Sequence, residues 1–124
     1  MLLQAALNGP GVWSVADAET LVDSGLASQA LRVLVERVEV GRKDAVAVVN
    51  AIHRVLDRHD VAVPRVQHGD GEAVWILLED AVARGIDMRI GFEDALLLPD
   101  GTRAGSNAAL VRAACGLGAG GLAG

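Results

Sequence analysis

The chain has 124 residues, enough for one domain with a hydrophobic core. Hydrophobic residues make up 52% of it and aromatic residues only 2%, so the core must consist of Val, Leu, Ile and Ala, the residue mix of parallel α/β sheets. The formal net charge of −5 argues against a nucleic-acid-binding protein, and no apolar run approaches the roughly 18 residues of a membrane span.

In the first half of the chain, strands and helices are predicted to alternate. The predicted elements are a strand over residues 2–7, a helix over 15–23, a strand over 31–35 and a helix over 43–58. Ser14 is a suitable N-cap for the first helix, and Gly25 is a suitable stop. Apolar residues recur at helical spacing in the second helix, and the pattern predicts a solvated side chain for its His53.

The second half of the chain continues the alternation. The predicted elements are a strand over residues 64–67, a helix over 72–84 that stops at Gly85, a strand over 88–92 and a last helix from Ser106 or Asn107 to about Cys115. Residues 116–124 are rich in Gly and Ala and predict a flexible tail, which leaves residues 1–115 as a single domain. The only cysteine, Cys115, and an N-terminus without Lys or Arg predict a cytoplasmic protein without a disulfide or a signal peptide.

The alternation predicts an α/β fold in which right-handed strand–helix–strand units build a parallel sheet. In such sheets ligands bind at the carboxyl ends of the strands. The polar residues just past the predicted strands are Asn8, Glu36, His68 and the group Arg89, Glu93 and Asp94. We therefore expect the functional site among these residues.

Arg89, Glu93 and Asp94 form the most unusual charged group, because they gather at one end of a short apolar strand. The two-residue alternation of a strand places Arg89 and Glu93 on one face, with Asp94 on the other unless the chain has already turned. A shared cavity at that face could hold a cation on Glu93 and an anionic substrate on Arg89. The alternative is a structural ion pair between Arg89 and Glu93, which the pattern alone favours.

His68 lies in the sequence His68-Gly69-Asp70-Gly71, between a predicted strand and the start of a helix. Backbone N–H groups at such a place can receive phosphate or carboxylate, although a tight turn explains both glycines equally well. His68 is a candidate metal ligand or acid–base group, or an ordinary polar residue at the rim. Glu36 is likewise either a ligand at a strand end or a solvated side chain.

Several motifs together resemble the later part of the β-keto acid cleavage enzymes, the family of 3-keto-5-aminohexanoate cleavage enzyme. These motifs are His68-Gly69-Asp70-Gly71, Arg89-Ile90-Gly91-Phe92-Glu93-Asp94, Leu98-Pro99-Asp100-Gly101 and the run from Ser106 to Val111. The resemblance covers residues 11–115, and residues 1–9 are similar to the first strand of the family. It implies a (β/α)8 TIM barrel, of which this chain would hold only a part, since a whole barrel takes about 250 residues.

The resemblance also implies a reaction. Members of the family use zinc to condense a β-keto acid with acetyl-CoA, and the cleavage of a C–C bond then gives acetoacetate and a new CoA thioester. By this resemblance Glu93 is a zinc ligand, Asp94 is the general base that removes the substrate α-proton, and Arg89 stabilises the developing oxyanion. Such roles suit these residue types, because a carboxylate can accept a proton and a guanidinium can hold an anion.

The chain departs from the family pattern in two respects. The other two zinc ligands of the family come from a His-x-His motif, and no such motif occurs in this sequence, although His68 or Glu36 could replace it. The segment with roughly the second, third and fourth barrel strands is also missing between Gly9 and Val12. The remaining strands would form a parallel arc with open edges, which predicts association with a second copy or marginal stability.

Three functional hypotheses follow. The chain is an acyl-transferring enzyme or half of one, with Arg89, Glu93 and Asp94 in the family roles, or it is a truncated and inactive remnant. The third hypothesis is a half-barrel module that associates with itself or with a longer relative to complete a barrel. Because the His-x-His ligands are missing, we expect zinc to bind weakly or not at all and the isolated chain to be inactive.

Overall fold

The computed structural model describes residues 11–12, 14–25, 32–37, 42–92 and 94–122. The strands are β1 (Gly11–Val12), β2 (Val33–Arg37), β3 (Arg65–Gly69) and β4 (Asp87–Met88). The helices are α1 (Val15–Ser24), α2 (Arg42–Arg58), α3 (Val74–Arg84) and α4 (Asn107–Leu122), with a short 3-10 turn at Gly71–Ala73 before α3. Strands and helices alternate as the sequence predicts.

The four strands form one parallel sheet in the order β1-β2-β3-β4. This confirms the predicted α/β class and the parallel pairing of consecutive strands. The predicted strand over residues 2–7 lies outside the described residues. Whether the sheet is an arc of a barrel therefore stays a prediction.

The helix ends follow the local signals in the sequence. The Ser14 side chain accepts a hydrogen bond of 3.1 Å from the Asp17 amide, as an N-cap does. Gly25 and Gly85 end their helices in the left-handed conformation, with φ of 75° and 72°. Ser106 caps α4 by accepting a hydrogen bond of 3.1 Å from the Ala109 amide.

Strands β2 and β3 each end two residues later than predicted, and two other element ends differ more from the prediction. The last strand ends at Met88 rather than at residue 92, because the chain turns at Gly91, whose carbonyl accepts bonds from the Asp94 amide (2.9 Å) and the Ala95 amide (3.0 Å). Helix α4 extends to Leu122 instead of ending near Cys115. The helical conformation does not test the flexibility predicted for residues 116–124, which stays a prediction.

Apolar residues pack in two clusters. The larger cluster joins α1, α2 and the sheet, and Val35, Ile52 and Leu56 are fully buried within it. The smaller cluster joins α3 to α4 through Leu78 and Leu110. No helix in the described part of the chain is both long and apolar enough to cross a bilayer.

The register decides which side chains face the helices. Val35 pairs with Gln67, and the next pair in register is Glu36 with His68. Val35 lies in the larger apolar cluster, so Gln67 also faces the helices, whereas Glu36 and His68 face the opposite side of the sheet. The sheet therefore presents a carboxylate and an imidazole side by side at its carboxyl end.

Candidate functional site

Four charged or polar side chains meet at the carboxyl ends of the strands. We call Glu36, His68, Arg89 and Asp94 the strand-end cluster. His68 Nε2 lies 2.9 Å from Glu36 Oε2, and His68 Nδ1 lies 3.4 Å from Asp94 Oδ1. The other Asp94 oxygen, Oδ2, lies 3.7 Å from Arg89 Nε. The cluster is thus a chain of contacts in which His68 separates two carboxylates.

Backbone contacts bring the members of the cluster together. Glu36 and His68 are neighbours in the register of β2 and β3. The Arg89 amide donates a bond of 3.2 Å to the Gln67 carbonyl, which continues the pairing one residue past β4. The turn at Gly91 then returns the chain, so that Asp94 comes back toward β3 although it lies five positions beyond Arg89.

Burial is uneven within the cluster. The side chains of His68 and Asp94 are only 5% and 7% exposed, whereas the Arg89 side chain is 41% exposed. A buried carboxylate is costly unless an opposite charge or a donor stabilises it, and here Asp94 has His68 on one side and Arg89 on the other. The site therefore combines a buried acid with a cation that solutes can reach.

His68 lies within 3.4 Å of both carboxylates without an aligned hydrogen bond to either of them. The separation of 2.9 Å from Glu36 is within hydrogen-bonding range, but neither ring nitrogen forms a well-directed hydrogen bond among the described residues. Carboxylates only accept, so the imidazole satisfies both neighbours only when both of its nitrogens carry hydrogen.

The structure brings some of the predicted site residues together. Arg89 and Asp94 lie close to each other, because the chain has turned before Asp94. Glu93 lies outside the described residues, so its predicted contact with Arg89 and its role as a metal ligand stay predictions. His68 and Glu36, each with two interpretations from the sequence, both belong to the cluster. The signal that pointed to them was their position just past two predicted strands, and in the structure each lies one residue before the end of its strand.

The fit of a zinc ion can be judged from the donors. Three protein ligands usually hold zinc. Among the described residues no group of three or more His, Cys, Asp or Glu side chains is arranged to hold a metal ion. Glu36 and Asp94 contact different nitrogens of His68, so they do not converge with it on one point. These residues alone do not fit a zinc centre.

A second polar network lies at the amino ends of the strands. His53 is buried, with 2% of its surface exposed, and its Nε2 lies 2.7 Å from Gln67 Oε1. The predicted solvated position of His53 is wrong, because Gln67 on β3 points toward α2 and binds the imidazole. Next to this network a cavity of about 450 Å³ is lined by residues that include His53, Asp57, Pro64, Arg65 and Arg84.

Comparison with protein-family models gives a match that covers most of the chain. The family model described as beta-keto acid cleavage enzyme matches residues 11–120. The matched span contains all four residues of the strand-end cluster. A search among curated proteins finds no match.

Proposed function

This chain belongs to the beta-keto acid cleavage enzyme family, and from that premise we propose that its strand-end cluster is a binding site for a β-keto acid. In this proposal Arg89 binds the anionic oxygens of the substrate, and Asp94 is the base that faces its acidic α-carbon. The observation that carries the proposal is the approach of a buried Asp94 carboxylate to the half-exposed Arg89 guanidinium at the carboxyl end of the sheet.

The chemistry of a β-keto acid suits such a pair. The carbon between the two carbonyl groups is acidic, and its proton would pass to an oxygen of Asp94 while the C–H electron pair moves toward the keto oxygen. A nearby guanidinium lowers the energy of the enolate that results, since it places positive charge where negative charge develops. Burial removes competing water from Asp94 and strengthens both interactions.

The remaining steps are proposed from the family resemblance alone. They are the transfer of acyl groups with acetyl-CoA, release of acetoacetate and formation of a new CoA thioester. Zinc, with Glu93 as its ligand, belongs to the same proposal and would supply a Lewis acid for the keto oxygen. Because the described donors are too few for zinc and the His-x-His motif is missing, we propose that these 124 residues bind substrate without turnover.

Turnover is tested by acetoacetate release with acetyl-CoA and several β-keto acids, comparing the chain with Glu93→Gln. We expect both proteins to give the background rate. The zinc content, measured by mass spectrometry on purified protein, should be well below one ion per chain. A wild-type rate far above that of Glu93→Gln, with one zinc per chain, would show an active enzyme instead.

Binding is tested separately with acetoacetate itself, the simplest β-keto acid. We expect saturable binding by calorimetry and a loss of about tenfold or more in affinity for Arg89→Gln, since a charge-assisted contact contributes roughly 1.5–3 kcal/mol. Arg112→Gln removes an exposed arginine from α4 and is the matched control, with no change expected. Equal affinities for both variants would contradict the proposed role of Arg89.

A further inference from the structure

We propose that His68 is a positioning residue for Asp94. This inference rests on the proposed function, in which Asp94 is the base, and adds a residue to which neither the family match nor the resemblance assigns a role. The imidazole holds one oxygen of Asp94, and Glu36 holds the imidazole from its other side.

Asp94 needs such support because of where it lies. It follows a turn beyond the last strand, so no ladder of strand hydrogen bonds fixes its side chain. His68 lies on β3, which has paired strands on both sides, β2 and β4. A side chain on an interior strand is held more rigidly than one on a loop, and reacting groups must be placed within a fraction of an ångström.

The end of β3 is itself tightly packed. A Cβ atom on Gly69, the residue after His68, would come within 2.8 Å of Leu77 Cδ1 and 3.1 Å of the Ala73 carbonyl oxygen. The strand therefore lies directly against α3 and the turn before it. From the same loop, the Gly71 amide reaches the Asp94 carbonyl at 3.4 Å. The loop after His68 and the turn before Asp94 thus contact each other through their backbones as well.

The division of the two Asp94 oxygens shows what the positioning achieves. Oδ1 faces His68 at 3.4 Å, and Oδ2 faces Arg89 at 3.7 Å. A guanidinium and a carboxylate prefer a two-point ion pair with two short parallel bonds. By attracting Oδ1, His68 prevents that arrangement. Asp94 therefore keeps Oδ1 on the side of His68 and Oδ2 on the side of Arg89.

Two substitutions at position 68 separate positioning from packing. His68→Leu keeps an apolar side chain of similar size but has no donor, whereas His68→Gln keeps an N–H group that can reach Asp94. If His68 only fills space, Leu should be the better replacement, since a buried apolar side chain of similar size needs no hydrogen-bond partner. If His68 positions Asp94, the Gln variant should stay closer than the Leu variant to the wild type, both in the Arg89–Asp94 contact and in acetoacetate affinity.

The first measurement needs no ligand. In His68→Leu we expect the Arg89 Nε–H signal in ¹H–¹⁵N NMR spectra to shift downfield, because the two-point pair with Asp94 now forms. His68→Gln should show a smaller shift, and adding Asp94→Asn to the Leu variant should abolish it. Glu36→Gln, which leaves His68 in place, should move the same signal slightly in the same direction. An Arg89 signal unchanged in both the Leu and the Glu36 variants would overturn the inference.

The second measurement links positioning to binding. We expect His68→Leu to lose about tenfold in acetoacetate affinity and His68→Gln to lose less, provided that both proteins unfold cooperatively in urea. Equal losses in the two variants would also overturn the inference. Failure of the wild-type chain to bind acetoacetate would instead refute the proposed function, and the ligand-free Arg89 signal would still decide whether His68 positions Asp94.

Discussion

His53 forms a buried hydrogen bond whose direction follows from its neighbours. Arg65 Nη1 lies 3.1 Å from His53 Nδ1, and a guanidinium can only donate, so Nδ1 is the acceptor. Nε2 must then carry the hydrogen and donate to Gln67 Oε1. The Gln67 amide in turn donates to the Leu77 carbonyl (2.8 Å) and to Asp80 Oδ2 (2.9 Å). The bond from Arg65 requires a neutral imidazole, because a protonated Nδ1 cannot accept it.

This arrangement predicts a pH-dependent stability. Burial lowers the pKa of His53 below its ordinary value of 6.5, and the charges of Arg84 and Arg65 lower it further, against the opposing effects of the Gln67 bond and Asp80. The unfolded chain therefore takes up the proton first as the pH falls. The free energy of unfolding that neutral His53 contributes is complete above about pH 6.5. It is lost progressively as the pH falls from there toward the pKa of His53 in the folded protein.

His53→Gln tests this prediction. At pH 7.5 we expect the variant to be less stable by ~1–3 kcal/mol, because the substitution disturbs buried hydrogen bonds. Between pH 6.5 and 5 its free energy of unfolding, measured with urea, should depend less on pH than that of the wild type. His59→Gln changes an exposed histidine and should retain the wild-type slope. A His53→Gln slope equal to the wild-type slope would refute the assignment.

At the scale of the elements, helix ends that carry a capping residue are determined locally, and strand ends are not. Ser14 and Gly85 lie where the sequence predicts because a cap needs only a hydroxyl or a residue that tolerates positive φ. The last strand ends early because its pairing with β3 stops and the chain turns at Gly91. That turn depends on contacts with distant residues, which no local pattern records.

Substitution of Ala for Gly is expected to have opposite effects on the free energy of unfolding at two helix positions. Gly116 lies inside α4 with open space where a Cβ would be, so Gly116→Ala should raise the free energy of unfolding by ~0.5–1 kcal/mol. Gly85 has a φ of 72°, so Gly85→Ala should lower it by about 1 kcal/mol, although that Cβ also meets open space. Urea unfolding measures both. Changes of the same sign would show that backbone conformation does not govern these positions.

At the scale of the whole molecule, the described part of the sheet has two short outer strands. Each of β1 and β4 contains two residues and pairs with a single neighbour among the described residues. Outer strands present backbone groups that can pair with another chain. Together with the family resemblance to a closed barrel, this is consistent with the prediction from the sequence of a partial barrel that associates with a second copy or is marginally stable. We propose the first of these alternatives.

Sedimentation equilibrium tests the association. We expect a discrete species of twice the chain mass of 12.8 kDa, which dissociates on dilution. A monomer at every concentration, with a normal cooperative unfolding transition, would contradict the proposal. A monomeric chain would still contain the strand-end cluster, because all four of its residues come from one chain.

The amino-acid sequence by itself determined the α/β class and the capped helix ends, and its motifs indicated the family. These follow from short-range rules of periodicity, capping and motif spacing. Only the tertiary structure decided that His68 joins Glu36 to Asp94 and that His53 is buried against Gln67. The physical reason is that strand register and the turn at Gly91 set which side chains meet, and both depend on contacts between residues far apart in the chain.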